Sequence, residues 1–246
     1  MLKNIGILSL IKTINSALGF LFIIIVAKVY GLEFRGELVK IMSWSAFFIL
    51  FYISLQNVLF LPEFRNRNSF KTIYFYSFIL FLFQFFITLI FVFFLKYDIQ
   101  LLFASLLSFA IFYQYLKSNI SQIQDRNIYY CLSIFVFKCA LIISSLFSPY
   151  KDFNSFVILI LVIYYLYFFA DYFFDKKYSF FIMSYNFDLS ILKKGFILSV
   201  SSVSSFLLAD YVNIIFANRY DEFLLGKYDI YYQILAISLI PIQGVS

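Results

Sequence analysis

Residues 72–95 read TIYFYSFILFLFQFFITLIFVFFL, 24 positions without a single charge. At 1.5 Å of rise per residue a helix of this length spans about 36 Å, more than the ~30 Å hydrocarbon core of a bilayer. The rest of the chain has the same character. Of 246 residues 63% are hydrophobic, 24% aromatic and only 13% charged. Soluble domains carry about a quarter charged residues. A soluble core of this size cannot hide so much apolar surface, so the solvent for most of the chain is lipid.

Further runs recur along the sequence. Residues 41–62, 99–116, 153–170 and 230–246 are uncharged, while 5–27, 128–147 and 195–217 are each interrupted once, by Lys12, Lys138 and Asp210. The expectation is an all-α, polytopic helical membrane protein of about eight transmembrane helices. With the N-terminus inside, ten basic residues fall on internal segments and seven on external ones. The excess of Lys and Arg on the inner side favours both termini in the cytoplasm. The first span is too long for a cleavable signal and carries Lys12 within it. Residues 176–194 hold Phe180, Phe181, Ile182, Met183, Phe187 and Leu189 between paired lysines. This segment reads equally as an amphipathic strip on the inner membrane surface or as a basic linker.

Composition also excludes chemistry. The chain has no histidine, which removes imidazole bases, serine–histidine triads and histidine-ligated metals. Cys131 and Cys139, eight residues apart on one predicted helix, are separated by about 12 Å of rise and cannot pair. No metal site and no cofactor are expected. The net charge of +6 punctuates apolar runs, which indicates membrane orientation rather than nucleic acid.

Several spans carry polar stripes. Ser9, Lys12, Asn15, Ser16 and Gly19 share one helical face; Ser77, Gln84 and Thr88 share another. Gln114, Lys117, Ser118 and Ser121 follow i, i+3, i+4, i+7, and Cys131, Lys138 and Ser145 recur every seven. The serines fit close helix packing. A lysine at the bilayer centre costs at least ~2.5–3.5 kcal/mol on insertion scales and needs a partner or a hydrated cavity. Lys138, in mid-span, is the strongest such candidate, and Lys12 can partly snorkel inward. Asp210, with Asn213 one turn on, reads either as a coupling-ion ligand or as an interfacial carboxylate.

The chain also repeats itself. Shifted by 190 positions, Leu2, Lys3, Ile7, Leu8, Ser9, Leu18, Ile24, Ile25, Ala27, Tyr30 and Gly36 fall on identical residues, ending with Gly36 on Gly226. That is eleven identities in thirty-five positions, where random pairing gives roughly 3. The copies start at the first and seventh helices, and an even offset of six would give both the same orientation, a parallel repeat of the kind found in some transporters. The expected organisation is a six-helix bundle over 1–175, a cytoplasmic linker over 176–194, and the first two helices of an incomplete second bundle over 195–246. A whole second copy would extend to about residue 380, so a C-terminally truncated sequence is expected.

Two stretches resemble a known family. GFLFIIIVAKVYGLEFRG over 19–36 looks like a first helix ending in alanine, a glycine-flanked turn and the start of the second helix. Lys193-Lys194-Gly195, through Asp210-Tyr211-Val212-Asn213 and Gly226-Lys227-Tyr228-Asp229 to Ile240-Pro241, looks like the start of a second lobe. The resemblance is to the polysaccharide (O-antigen type) flippases of the multidrug/oligosaccharidyl-lipid/polysaccharide exporter superfamily. It implies a transporter, not an enzyme, in the cytoplasmic membrane. Its cargo would be an undecaprenyl-pyrophosphate-linked oligosaccharide, and its neighbours membrane lipid and polysaccharide polymerase or assembly machinery. Lys12 and Lys138 are then candidates for the pyrophosphate, with Asn15, Gln84 and Gln114 for sugar hydroxyls. No nucleotide-binding loop is present in the sequence, so ion exchange through Asp210 and Asn213 is the expected energy source.

Two other readings stay open at this point. One is a membrane glycosyltransferase or polymerase, although Glu33, Glu37, Asp98, Asp152, Asp221, Glu222 and Asp229 sit on turns expected to be too short for a pocket. The other is an inactive truncated fragment. The topology is directly testable: reporter fusions at Lys96 and Lys151 should read external and those at Arg67 and Lys177 internal, and the reversed pattern defeats the assignment.

Overall fold

A computed structural model describes residues 2–59, 69–96, 98–123, 127–148, 152–174, 193, 197 and 221–243. The described residues form seven α-helices and no strand: α1 (Leu2–Tyr30), α2 (Leu32–Leu59), α3 (Ser69–Phe94), α4 (Gln100–Ile123), α5 (Asn127–Phe147), α6 (Phe153–Phe174) and α7 (Glu222–Gln243). Five of them, α1, α2, α3, α5 and α6, are long and apolar enough to cross a membrane. Eight were expected. The predicted span 195–217 lies outside the described residues, apart from an isolated helical residue at Ile197. Helix α4 falls short because Gln100, Gln114 and Lys117 dilute it. The predicted linker 176–194 is also outside the described residues, save Lys193.

Local chemistry sets the helix ends. Gly31 alone separates α1 from α2, with φ of 101°, in the left-handed region that glycine enters without a Cβ penalty. Asp98 caps α4 by accepting a hydrogen bond from the Gln100 amide at 3.0 Å. Asp152 does the same for α6, accepting from both the amide and the hydroxyl of Ser155 at 2.9 Å. Those donors hold the Asp152 carboxyl below its ordinary value of 3.8. Helix α3 turns Phe83, Phe86, Ile90, Phe93 and Phe94 outward along one face. So large an aromatic face suits lipid and not water.

The chain divides into two compact units, 1–40 with 117–163 and 215–246, and 41–116 with 164–214. In the second, α4 is the most enclosed helix. Ala104, Ser105, Ser108 and Leu116 are fully buried, and Leu107 and Phe112 nearly so. Its small residues admit close neighbours, and Ser45 of α2 donates to the Ala104 carbonyl at 3.0 Å. Phe81 of α3 stacks on Phe109, and Tyr113 meets Phe168 of α6 edge-on.

In the first unit α1 runs parallel to α5. Asn15 lies beside Cys131 at one end, and Tyr30 donates to the Ser145 carbonyl at 2.9 Å at the other. Tyr30 also stacks on Phe34 and packs on Phe156, while Phe34 meets Phe153.

Helix α7 joins this unit through the first turns of α2. The outer link was expected to hold Glu33, Arg35 and Glu37 as turn residues, but α2 starts at Leu32 and all three are helical. Arg35 forms an ion pair with Asp229, its Nε donating to Oδ2 at 2.9 Å and its Nη2 donating to the same oxygen. A methyl added to Gly36 would lie 1.9 Å from the Glu222 carbonyl oxygen, and one added to Gly226 would lie 2.1 Å from that of Leu32. Val39 packs against Leu225. Exchanging every residue for its equivalent 190 positions away turns Gly36–Glu222 into Gly226–Leu32, and Arg35–Asp229 into Leu225–Val39. The junction is therefore pseudo-two-fold in the register of the sequence repeat.

Gly36→Ala forces two helix backbones apart and should cost about 3 kcal/mol or more, whereas Gly31→Ala, strained but uncrowded, should cost about 1–2 kcal/mol; thermal unfolding in detergent ranks them. Because the Asp152 pKa is depressed by folding, its contribution is present above the ordinary carboxylate value and is lost as pH falls through the lower folded value. Amide exchange at Asn154 and Ser155 should accelerate on acidification in the parent protein and be insensitive to pH in Asp152→Asn, after correction for intrinsic rates.

Candidate functional site: a mid-span lysine between parallel helices

Lys138 is the twelfth residue of the 21-residue α5. Its side chain, half-buried, turns toward α1, and Nζ donates to the main-chain carbonyl of Asn15 at 2.6 Å. That carbonyl already belongs to the helical ladder, and what leaves it accessible is Gly19 one turn on. A Cβ at Gly19 would sit 3.1 Å from the Lys138 nitrogen. The Asn15 amide points the other way along α1, as side chains in a helix do, and donates to the Cys131 carbonyl at 2.9 Å. Asn15 thus fastens α1 to α5 twice, once through its side chain and once through its backbone.

The energetics leave this site unfinished. One hydrogen bond from a charged donor contributes about 1.5–3 kcal/mol, comparable to the lowest ~2.5–3.5 kcal/mol cost of placing lysine at the bilayer centre. An ammonium has three donors, however, and a carbonyl does not neutralise its charge. Among the described residues no carboxylate pairs with Lys138. Beside it the Asn15 Oδ1 is buried without a hydrogen-bond partner. A basic amine and a buried, unpaired acceptor therefore lie in one helix contact. Such a pair suits a ligand that presents an anion and hydroxyl donors together.

The other sequence candidates are placed as follows. Lys12, one turn before Asn15, is exposed. Gln84 lies in the other compact unit, where its amide is engaged: Oε1 accepts from Tyr52, and Nε2 donates to Ser105 at 3.1 Å and Ser108 at 3.3 Å. Gln114 is half-buried on α4 in that same unit. Asp210 and Asn213 lie outside the described residues. The structure thus brings Asn15 and Lys138 into contact, with Gly19 as the enabling residue.

Sequence reasoning missed Arg35 and Asp229, which it counted as outer charges. Only the 190-residue offset between Gly36 and Gly226 hinted at the contact. No family model, curated protein or solved structure matches the chain.

Asn15→Val removes the amide bond to α5 while leaving the carbonyl under Lys138. Loss of one interhelical bond in a membrane should lower stability by about 0.6–2 kcal/mol. Gly19→Val covers the carbonyl itself and should cost more than Asn15→Val; an equal or smaller cost in detergent unfolding would mean that Lys138 does not depend on that carbonyl.

Proposed function

We propose that this protein moves a lipid-linked oligosaccharide, carried on an undecaprenyl-pyrophosphate type anchor, from the inner to the outer leaflet of the cytoplasmic membrane. The observation that supports this reading is the mid-span Lys138 amine, bonded to a neutral carbonyl that cancels none of its charge when it is protonated, where Coulomb interactions are strong. A pyrophosphate is the anion such a site favours. The adjacent Asn15 Oδ1 offers an acceptor to a sugar hydroxyl, and exposed Lys12 supplies a second cation on the same helix.

In this reading the protein is a transporter and not an enzyme, with both termini cytoplasmic. It works beside the polymerase or assembly machinery that consumes the flipped glycan, and it takes no nucleic acid. Asp210 and Asn213 are the proposed ion-coupling pair. Gln84 acts by holding α2, α3 and α4 together rather than by touching cargo, since its amide is engaged with Tyr52 and two serines. The pseudo-two-fold junction between α2 and α7 also accords with a two-lobed transporter built on a parallel repeat.

The test is surface-polysaccharide export in cells whose own copy of the gene is deleted. The wild-type chain should restore export, Lys138→Ala should abolish it with membrane insertion intact, and Lys138→Arg should restore part of it because the charge is retained. Export unaffected by Lys138→Ala overturns the proposal.

A further inference from the structure

We infer that the α2–α7 junction is a releasable clamp that governs how firmly α1 is held on α5, and hence the exposure of the Lys138 site. The inference goes beyond the transport reading and holds for any cargo. Its first ground is an asymmetry within the two-fold junction. One of the equivalent positions holds Val39 against Leu225, both buried, and the other holds Arg35 against Asp229, only 7% and 12% exposed. A static brace would be served equally well by two apolar pairs, because a buried ion pair is often no more stabilising than hydrophobic residues of similar volume. An ion pair differs in what happens once water reaches it: both charges are readily hydrated, whereas an apolar pair resists separation. The junction is built to part on its Arg35–Asp229 side while Val39–Leu225 remains as the pivot.

The second ground is the contact surface. Gly36 and Gly226 bring the two backbones together without interlocking side chains. Smooth backbone contact opposes separation but offers little resistance to rotation. The third is the connection to α1. Only Gly31 lies between α1 and α2, and the Tyr30 ring stacks on Phe34 at 4.8 Å across that turn. Movement of the first turns of α2 is therefore delivered to the end of α1. Helix α1 itself packs against both α5 and α7. Its hold on α5 includes three polar contacts, Tyr30 to Ser145, Asn15 to Cys131 and Lys138 to Asn15. With the clamp closed, α1 lies on α5 and Lys138 is half covered. With it open, α1 tilts away and those contacts are exposed.

The buried thiol of Cys131, in the α1–α5 contact, is a native reporter of that separation. In the full chain carrying Cys139→Ala and reconstituted in vesicles, the rate of alkylation by a membrane-permeant maleimide measures how often α1 leaves α5. Asp229→Asn, which removes the charge and keeps the shape, should raise this rate at least about tenfold. The exchanged pair Arg35→Asp with Asp229→Arg should return it to within about twofold of the parent. An unchanged rate in Asp229→Asn, or an increase that the exchanged pair fails to reverse, overturns the inference. If Asp229→Asn does not give monodisperse protein, Arg35→Lys is measured in its place. It keeps the charge but gives up the two-pronged bond, and the same acceleration is required of it.

Discussion

An ammonium halfway along an apolar helix has to be partnered from within the protein, because lipid offers it nothing. In this chain the partner is a backbone carbonyl. That choice imposes much of what surrounds it. The carbonyl must be uncovered, which Gly19 does by lacking a side chain. The helix bearing it must lie against α5 at one fixed level, which Asn15 secures by bonding to the Cys131 carbonyl. The two helices must keep that register along their length, which Tyr30 secures by bonding to the Ser145 carbonyl nearer their C-terminal ends. Because the partner is neutral, it cancels none of the charge that protonated Lys138 carries, and a structural contact doubles as an electrostatic feature at membrane depth.

The two compact units show different solutions to burying polar groups away from water. In the unit holding α3 and α4, Tyr52, Gln84, Ser105 and Ser108 bond to one another, and Tyr165 donates to the Leu106 carbonyl at 3.1 Å. This network consumes the capacity of its members and welds the helices together. In the other unit the Lys138 amine and the buried Asn15 Oδ1 keep unused hydrogen-bonding capacity, as Ser77 Oγ and Gln100 Oε1 do in the unit of α3 and α4.

Much of the helical character was legible in the sequence because it rests on additive quantities, run length and charge count. Residues 72–95 needed no tertiary information to be read as a helix suited to lipid. Helix α4 shows the limit of that reading, since a helix enclosed on nearly every side by protein tolerates Gln114 and Lys117 and scores as less apolar than one bathed in lipid. The stripe on α1 brought Asn15 and Gly19 to notice, but periodicity defines a face and not the helix it meets. Arg35 and Asp229 were illegible for a different reason. They stand 194 residues apart, and each looks like an ordinary charge next to a turn. The repeat pointed to Gly36 and Gly226 as equivalents, yet equivalence does not imply contact. Only the fold shows that these equivalents lie on opposite sides of one junction.

The claim on which the functional account depends is that Lys138 presents usable positive charge inside the membrane. Binding of a polyprenyl pyrophosphate to the purified protein in detergent, compared with the neutral polyprenol of equal chain length, tests it most directly. The account predicts that the pyrophosphate binds better than the polyprenol and that Lys138→Gln weakens it by at least about tenfold while leaving the polyprenol unchanged. Equal affinities for the two lipids, or pyrophosphate binding indifferent to Lys138→Gln, would contradict it.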